Sequence, residues 1–177
     1  MPNTNPNDWI KGDLVFAHST GIIGKAIRFA ERIRGKGGDN WNHVAVLSRR
    51  DANGTWCIFQ AEAAGVTDDK TLDSVAPGGS YEVVPLPLEV DRFSFYLFIH
   101  SQVGAKYGFL SILSCAVDII IPDSICLRQA KTWICSGLVA AGLLAGDYRP
   151  ARKWAKADIY TTMPSEIRTE IGEVKCP

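Results

Sequence analysis

Short apolar runs along the chain predict the strands of an antiparallel sheet. Such runs cover residues 13–17, 43–47 and 81–84. The stretch Asp-Ala-Asn-Gly at 51–54 is typical of a hairpin turn, and it predicts a partner strand over 55–62. The prolines at 85 and 87 end the strand over 81–84, because proline cannot donate a backbone hydrogen bond to a sheet.

Apolar residues spaced three and four apart predict the helices. The helical segments lie over 22–34, 67–75, 90–103, 109–121, 134–144 and 165–171. Strands and helices are mixed along the chain with no repeat and no linker, which indicates one α+β domain over 1–177. We expect residues 1–10 to form a flexible arm and residues 150–177 to form a tail packed on the domain.

Composition narrows the choice of partners. The chain has 177 residues, of which 46% are hydrophobic, and 19 basic residues balance 19 acidic ones. No basic stretch indicates a nucleic-acid partner. The apolar run over 109–121 contains Asp118 and is shorter than the roughly 20 residues that span a bilayer, so no integral membrane segment is expected. The N-terminus lacks a secretion signal, which favours a cytoplasmic protein, with delivery by a phage or as an effector as the alternative.

The five cysteines are odd in number and irregularly spaced, at positions 57, 115, 126, 135 and 176. This spacing favours neither a disulfide framework nor a metal site, and we expect no metal and no cofactor. Cys135 differs from the others because a run of small and apolar residues follows it, as at the start of a buried helix. Free N–H groups at a helix N-terminus favour a thiolate and can bind an oxyanion. The alternative interpretation is a cysteine that only fills the core.

A cysteine nucleophile requires a base, and His43 is the candidate because it begins an apolar strand. The base in turn requires an orienting partner on its other ring nitrogen. Counting by twos along the next strand places Gln60 and Glu62 on one face, and either side chain could reach the imidazole. Trp41 and Trp133 flank the two reactive residues, as pocket walls or as core residues.

Several short motifs resemble those of the NlpC-like cell-wall peptidases. The motifs are Gly-Asp-Leu-Val-Phe at 12–16, His-Val-Ala-Val at 43–46, Glu-Ala-Ala-Gly-Val at 62–66, Gly-Ala-Lys-Tyr-Gly at 104–108 and Cys-Ser-Gly-Leu-Val at 135–139. The histidine segment precedes the cysteine segment, whereas the usual members have the reverse order. This order resembles the circularly permuted, YiiX-like branch of the family, and Met-Pro-Ser-Glu at 163–166 is weakly similar to the end of that branch.

The resemblance implies a papain-like fold and a cysteine hydrolase. Carried over by motif, Cys135 would be the nucleophile, His43 the base and Glu62 the orienting residue, while Tyr107 would line the site. The implied reaction is hydrolysis of an amide, either an isopeptide bond or a bond in a peptide like those of cell walls, with no cofactor. Two alternatives stay open: a lipid-directed acyltransferase or thioesterase on the same fold, and a catalytically silent module that binds a small ligand.

Overall fold

The structure of the protein is a computed structural model, and it describes residues 5–18, 41–75, 81–108, 132–150 and 162–173. Within these ranges the protein is a mixed α+β structure, as predicted. The predicted helices over 22–34 and 109–121 lie outside the described residues.

Five strands form one antiparallel sheet, in the order β4-β3-β2-β1-β5. They are β1 (Leu14–Ala17), β2 (His43–Arg50), β3 (Trp56–Glu62), β4 (Gly65–Thr71) and β5 (Tyr81–Val84). The strands predicted over 13–17, 43–47, 55–62 and 81–84 are therefore confirmed, with β2 longer than predicted. The predicted hairpin turn is also confirmed, since the Asp51 N–H donates to the Thr55 carbonyl at 2.9 Å and Gly54 has a φ of 80°.

Two further short strands, β6 (Lys106–Tyr107) and β7 (Thr132–Trp133), pair in parallel. The helices within the described ranges are α1 (Leu72–Val75), α2 (Arg92–Ser101), α3 (Cys135–Ala145) and α4 (Pro164–Glu173). The last three confirm the helices predicted over 90–103, 134–144 and 165–171. Asp91 caps α2, because its carboxylate accepts a hydrogen bond from the Phe93 N–H at 3.1 Å.

The helix predicted over 67–75 is wrong for most of its length. Residues 65–71 form β4 instead, and only Leu72–Val75 is helical. Glu62 pairs with Gly65 and Gln60 pairs with Thr67, so the backbone groups of this segment join the sheet. Pairing with β3 outweighed the local preference of Thr67 and the following aspartates for a helix start.

The alternation of side chains along the strands builds two buried faces. The helical face of the sheet carries Leu14, Phe16, Val44, Val46, Phe59 and Ala61, and it packs against Phe95, Ile99, Leu138, Leu143 and Ile167 of the helices. The opposite face, here called the tryptophan face, carries Val15, Ala45, Leu47, Ile58 and Val83 beneath Trp9, Trp56 and Leu72. Within the segment predicted to be a flexible arm, Trp9 is buried against this face, whereas residues 5–8 and Ile10 are exposed.

Asp13 joins three separate segments of the fold. Its buried carboxylate accepts hydrogen bonds from Arg92 Nη1 at 2.8 Å, from the Leu86 N–H at 3.3 Å and from the Ile10 N–H at 3.0 Å. Gly12 beside it has a φ of 91°, a conformation that favours glycine. The aspartate of the Gly-Asp-Leu motif therefore has a structural task, holding β1 to the start of α2.

Candidate active site

Cys135 is the first residue of α3 and is 3% exposed. Ile134 before it is extended, with φ −98° and ψ 160°, and it offers no side-chain cap. The Leu138 N–H donates to the Ile134 carbonyl at 2.9 Å. In this geometry the N–H groups of residues 135–137 have no acceptor within the helix, so they are available to the sulfur or to a bound group.

Two contacts hold α3 in place, one in its first turn and one in its second half. The Ser136 hydroxyl donates to the Thr162 carbonyl at 2.5 Å, which ties α3 to the segment that leads into α4. On the other side, α3 approaches α2 closely, since a Cβ atom on Gly142 would lie 2.7 Å from Ile99 Cδ1. These contacts hold Cys135 on a rigid element, as a nucleophile requires.

The backbone of β2 supplies an N–H group to Cys135. The Leu47 N–H donates to the Asp13 carbonyl and the Gly12 N–H to the Leu47 carbonyl, each at 2.9 Å. Because hydrogen-bonded pairs alternate in an antiparallel ladder, the Val44 N–H points away from β1 and toward β3. The pairing of β2 with β3 ends at Val46↔Phe59, which leaves this N–H for the Cys135 sulfur. The motifs in the sequence gave no signal of this contact.

His43 is held by Gln60. The distance from His43 Nε2 to Gln60 Oε1 is 3.1 Å, and Gln60 is 2% exposed. Since the amide oxygen can only accept, Nε2 carries the proton and Nδ1 is left to receive the proton of the Cys135 thiol. The arrangement is a cysteine, a histidine and an orienting amide in series.

The electrostatics favour a thiolate beside an imidazolium. Burial alone would raise the pKa of Cys135, but the hydrogen bond and charge of His43, with the backbone N–H groups of Val44 and Ser136, hold it below its ordinary value. Burial alone would lower the pKa of His43, but Cys135, Gln60 and the charge of Glu62 hold it above its ordinary value. The two opposite shifts are those that proton transfer from sulfur to imidazole requires.

Glu62 is the residue to which the resemblance assigned the orienting role, and the observed contact differs from that assignment. The hydrogen bond to the His43 ring comes from Gln60, two residues earlier on the same face of β3. Glu62 is half-buried at the end of the strand and acts on His43 through its charge. Of the two candidates that the alternation left open, Gln60 therefore makes the contact.

Tyr107 reaches the site through the small parallel pair of strands. It lies opposite Trp133, two residues before Cys135, and it is 7% exposed. Burial, with the negative charges of Cys135 and Glu62, raises its pKa well above the ordinary value, so the phenol keeps its proton. Gly65 permits this placement, because a Cβ atom there would lie 2.5 Å from the Ala105 carbonyl oxygen.

Trp41 and Trp133 are both half-buried and pack against the core of the helical face. The Trp133 indole N–H donates to Gln102 Oε1 at 2.9 Å, and its ring meets Phe98 edge to face at 5.9 Å between centroids. Trp133 therefore has a structural role, because it packs against α2. Substrate contact by either tryptophan stays a prediction.

Neither a metal site nor a membrane span is found in the part of the chain that the structure describes. No group of three or more His, Cys, Asp or Glu side chains there could hold a metal ion. No helix there is long and apolar enough to cross a membrane. Comparison of the whole chain with models of known protein families and with curated proteins matched none of them.

Replacing Gln60 tests its orienting role. In Gln60→Leu, the ring loses its acceptor and the imidazolium is less favoured, so we expect alkylation of Cys135 at pH 6 to slow about tenfold, the effect of one pKa unit. Gln60→Glu keeps an acceptor at the same place and should retain the fast rate. Labelling with iodoacetamide, followed by mass spectrometry of the Cys135 peptide, measures both. Equal rates in Gln60→Leu and the parent would show that the contact is not needed.

Proposed function

We propose that the protein is a cysteine amidase or peptidase, with Cys135 as the nucleophile, His43 as the base and Gln60 as the orienting residue. The observation that carries the proposal is the series of contacts from the Cys135 sulfur at the start of α3, through the His43 ring, to Gln60 Oε1. A buried cysteine that only filled the core would need neither a half-buried histidine beside it nor two backbone N–H groups directed at its sulfur.

The first step is acylation of the sulfur. The Cys135 thiolate attacks the carbonyl carbon of the substrate amide, and the carbonyl oxygen becomes an oxyanion. Free N–H groups in the first turn of α3 support its binding, and the neutral phenol of Tyr107 is a further candidate donor. The His43 imidazolium then gives its proton to the leaving nitrogen, the C–N bond breaks, and an amine and a thioester on Cys135 result.

The second step is hydrolysis of the thioester. Neutral His43 takes a proton from water, and the resulting hydroxide attacks the thioester carbon. The C–S bond breaks, the carboxylic acid leaves, and the sulfur again becomes a thiolate beside the imidazolium. Gln60 keeps the same hydrogen bond in both steps, because it accepts from Nε2 while Nδ1 exchanges the proton.

We propose a papain-like fold together with this function. A cysteine at the start of a helix that faces a histidine on an antiparallel sheet is the arrangement of papain-like hydrolases. Here the histidine strand precedes the cysteine helix in the chain, which supports a circularly permuted member of that group. The NlpC-like resemblance of the motifs favours peptides like those of cell walls as the substrate class.

Hydrolysis of a panel of peptide amides, including isopeptides and cell-wall-type peptides, tests the function. We expect the parent to release amine, and Cys135→Ser to lower the rate by at least about a thousandfold, as removal of a nucleophile does. Cys57→Ser is the matched control, because Cys57 is also a buried cysteine but lies within β3, on the same face as Phe59 and Ala61, and not at the start of a helix. Unchanged hydrolysis in Cys135→Ser would contradict the proposal. A long-chain acyl group found on Cys135 by intact mass would instead favour the lipid-directed alternative.

A further inference from the structure

Glu62 acts on His43 through its charge, but it forms no hydrogen bond with either reactive side chain. Gln60 makes the hydrogen bond to the His43 ring that the resemblance gave to Glu62. Glu62 forms no hydrogen bond and no ion pair with any residue that the structure describes. A half-buried carboxylate without a hydrogen-bond partner gives up part of its hydration, which is unfavourable for stability.

The position of Glu62 places this charge beside the reactive pair. Glu62 ends β3, on the same face as Gln60, and pairs with Gly65 at the turn into β4. The chain around Ala105 crosses that turn, since the Val66 N–H donates to the Ala105 carbonyl at 2.8 Å and the Gly104 N–H donates to the Val66 carbonyl at 2.9 Å. The carboxylate is therefore close enough to His43 on β2 and to Tyr107 on β6 for its charge to act on both side chains.

The charges of the site do not cancel. The Cys135 thiolate and the His43 imidazolium neutralise each other, and Glu62 adds one negative charge. Lys106, the nearest cation along β6, is exposed and makes no ion pair with Glu62. A site whose charges sum to one sign attracts ligands of the opposite sign.

From this juxtaposition we propose that Glu62 is a specificity residue, which binds a cationic group of the substrate, such as a primary ammonium or a guanidinium, close to the amide that Cys135 attacks. The inference rests on the proposed function and deepens it. It predicts that amide substrates with a positive charge near the scissile bond are preferred over neutral substrates of the same shape.

Two iodoacetamides of equal shape test the inference without a known substrate. One carries a trimethylammonioethyl group on its amide nitrogen. The other carries the neutral dimethylbutyl group of the same shape, in which a carbon atom replaces the charged nitrogen. The rate of each at Cys135 is measured by mass spectrometry, and the cationic rate is divided by the neutral rate. Because both reagents need the same thiolate, a change in the pKa of Cys135 cancels in this ratio.

We expect Glu62→Gln to lower the ratio about threefold to tenfold, the size expected for one charge acting across several ångströms in a partly hydrated site. Glu62→Lys should lower it further, and added salt should reduce the difference between parent and variants. Asp69→Asn is the matched control, because Asp69 is an exposed carboxylate on β4 of the same sheet, and its ratio should stay at the parent value.

The outcomes separate the two proposals. An equal ratio in the parent, Glu62→Gln and Glu62→Lys, with Cys135 still labelled rapidly at pH 6, would overturn the cationic subsite and leave the cysteine hydrolase intact. An equal fall in Asp69→Asn would also overturn the subsite, because it would show an effect of net charge alone. If Cys135 is labelled no faster than Cys57, both proposals fail together.

Discussion

Replacing His43 with alanine is expected to slow alkylation of Cys135 at pH 6 by about tenfold to a hundredfold, since each unit of pKa changes the thiolate fraction tenfold. The variant removes the hydrogen bond and the positive charge that stabilise the thiolate, while the burial that opposes it remains. The pKa of Cys135 should therefore rise to or above the value of about 8.5 of an unperturbed cysteine.

The direction in which the labelling rate depends on pH follows from the pKa shifts of Cys135 and His43. The pKa of Cys135 lies below its ordinary value, so the parent keeps a thiolate at a pH where a free thiol is protonated. The pKa of His43 lies above its ordinary value, so its imidazolium persists on raising the pH past the point at which a free histidine loses its proton. The parent should label rapidly across this window, whereas His43→Ala should label rapidly only above it.

Iodoacetamide labelling from pH 5 to 10, mapped to each cysteine, measures this profile. His100→Ala is the control, because His100 is an exposed histidine on α2 that stacks on Tyr96 at 6.5 Å between ring centroids. It should leave the profile of Cys135 unchanged. The same profile in His43→Ala and the parent would show that no thiolate–imidazolium pair exists.

The strands were predictable where side-chain alternation and turn chemistry agreed. Asp51 and Gly54 mark the hairpin turn, and an apolar run lies on each side of it. In the structure these two runs pair as β2 and β3. The helix predicted from Thr67 onward was wrong because the preference of Thr67 for a helix start is local, whereas β4 forms through its pairing with β3. Local patterns predict an element only where the long-range partner favours the same conformation.

The candidate site was predictable as a set of residues but not as a set of contacts. Alternation placed Gln60 and Glu62 on one face, and it could not show which of them reaches His43, since that depends on how the paired strands separate. The N–H contact from Val44 depends on the residue at which β2 and β3 stop pairing. The hydrogen bond from Ser136 to Thr162 joins residues 26 positions apart in the sequence, a separation that no helical pattern predicts.

The packing beneath the site carries the largest expected effect on stability. Phe95 of α2 is fully buried in the helical face, and a Cβ atom added to Gly142 of α3 would lie 2.9 Å from its ring. The ring therefore fills the space between α2 and the helix that presents Cys135. Removing it leaves a cavity that the close-packed helices cannot fill without moving.

We expect Phe95→Ala to lower the free energy of unfolding by about 3–5 kcal/mol, the range for a buried phenylalanine. In a protein of this size this corresponds to a fall in Tm of roughly 6–20 °C. Phe93→Ala is the matched control on the same helix, because Phe93 is 75% exposed and its loss should change the free energy of unfolding by less than about 0.5 kcal/mol. Urea unfolding of the three proteins measures the difference. Equal losses in the two variants would mean that α2 does not present Phe95 to the core, and the support that this packing gives to Cys135 would then have to come from another contact of α3.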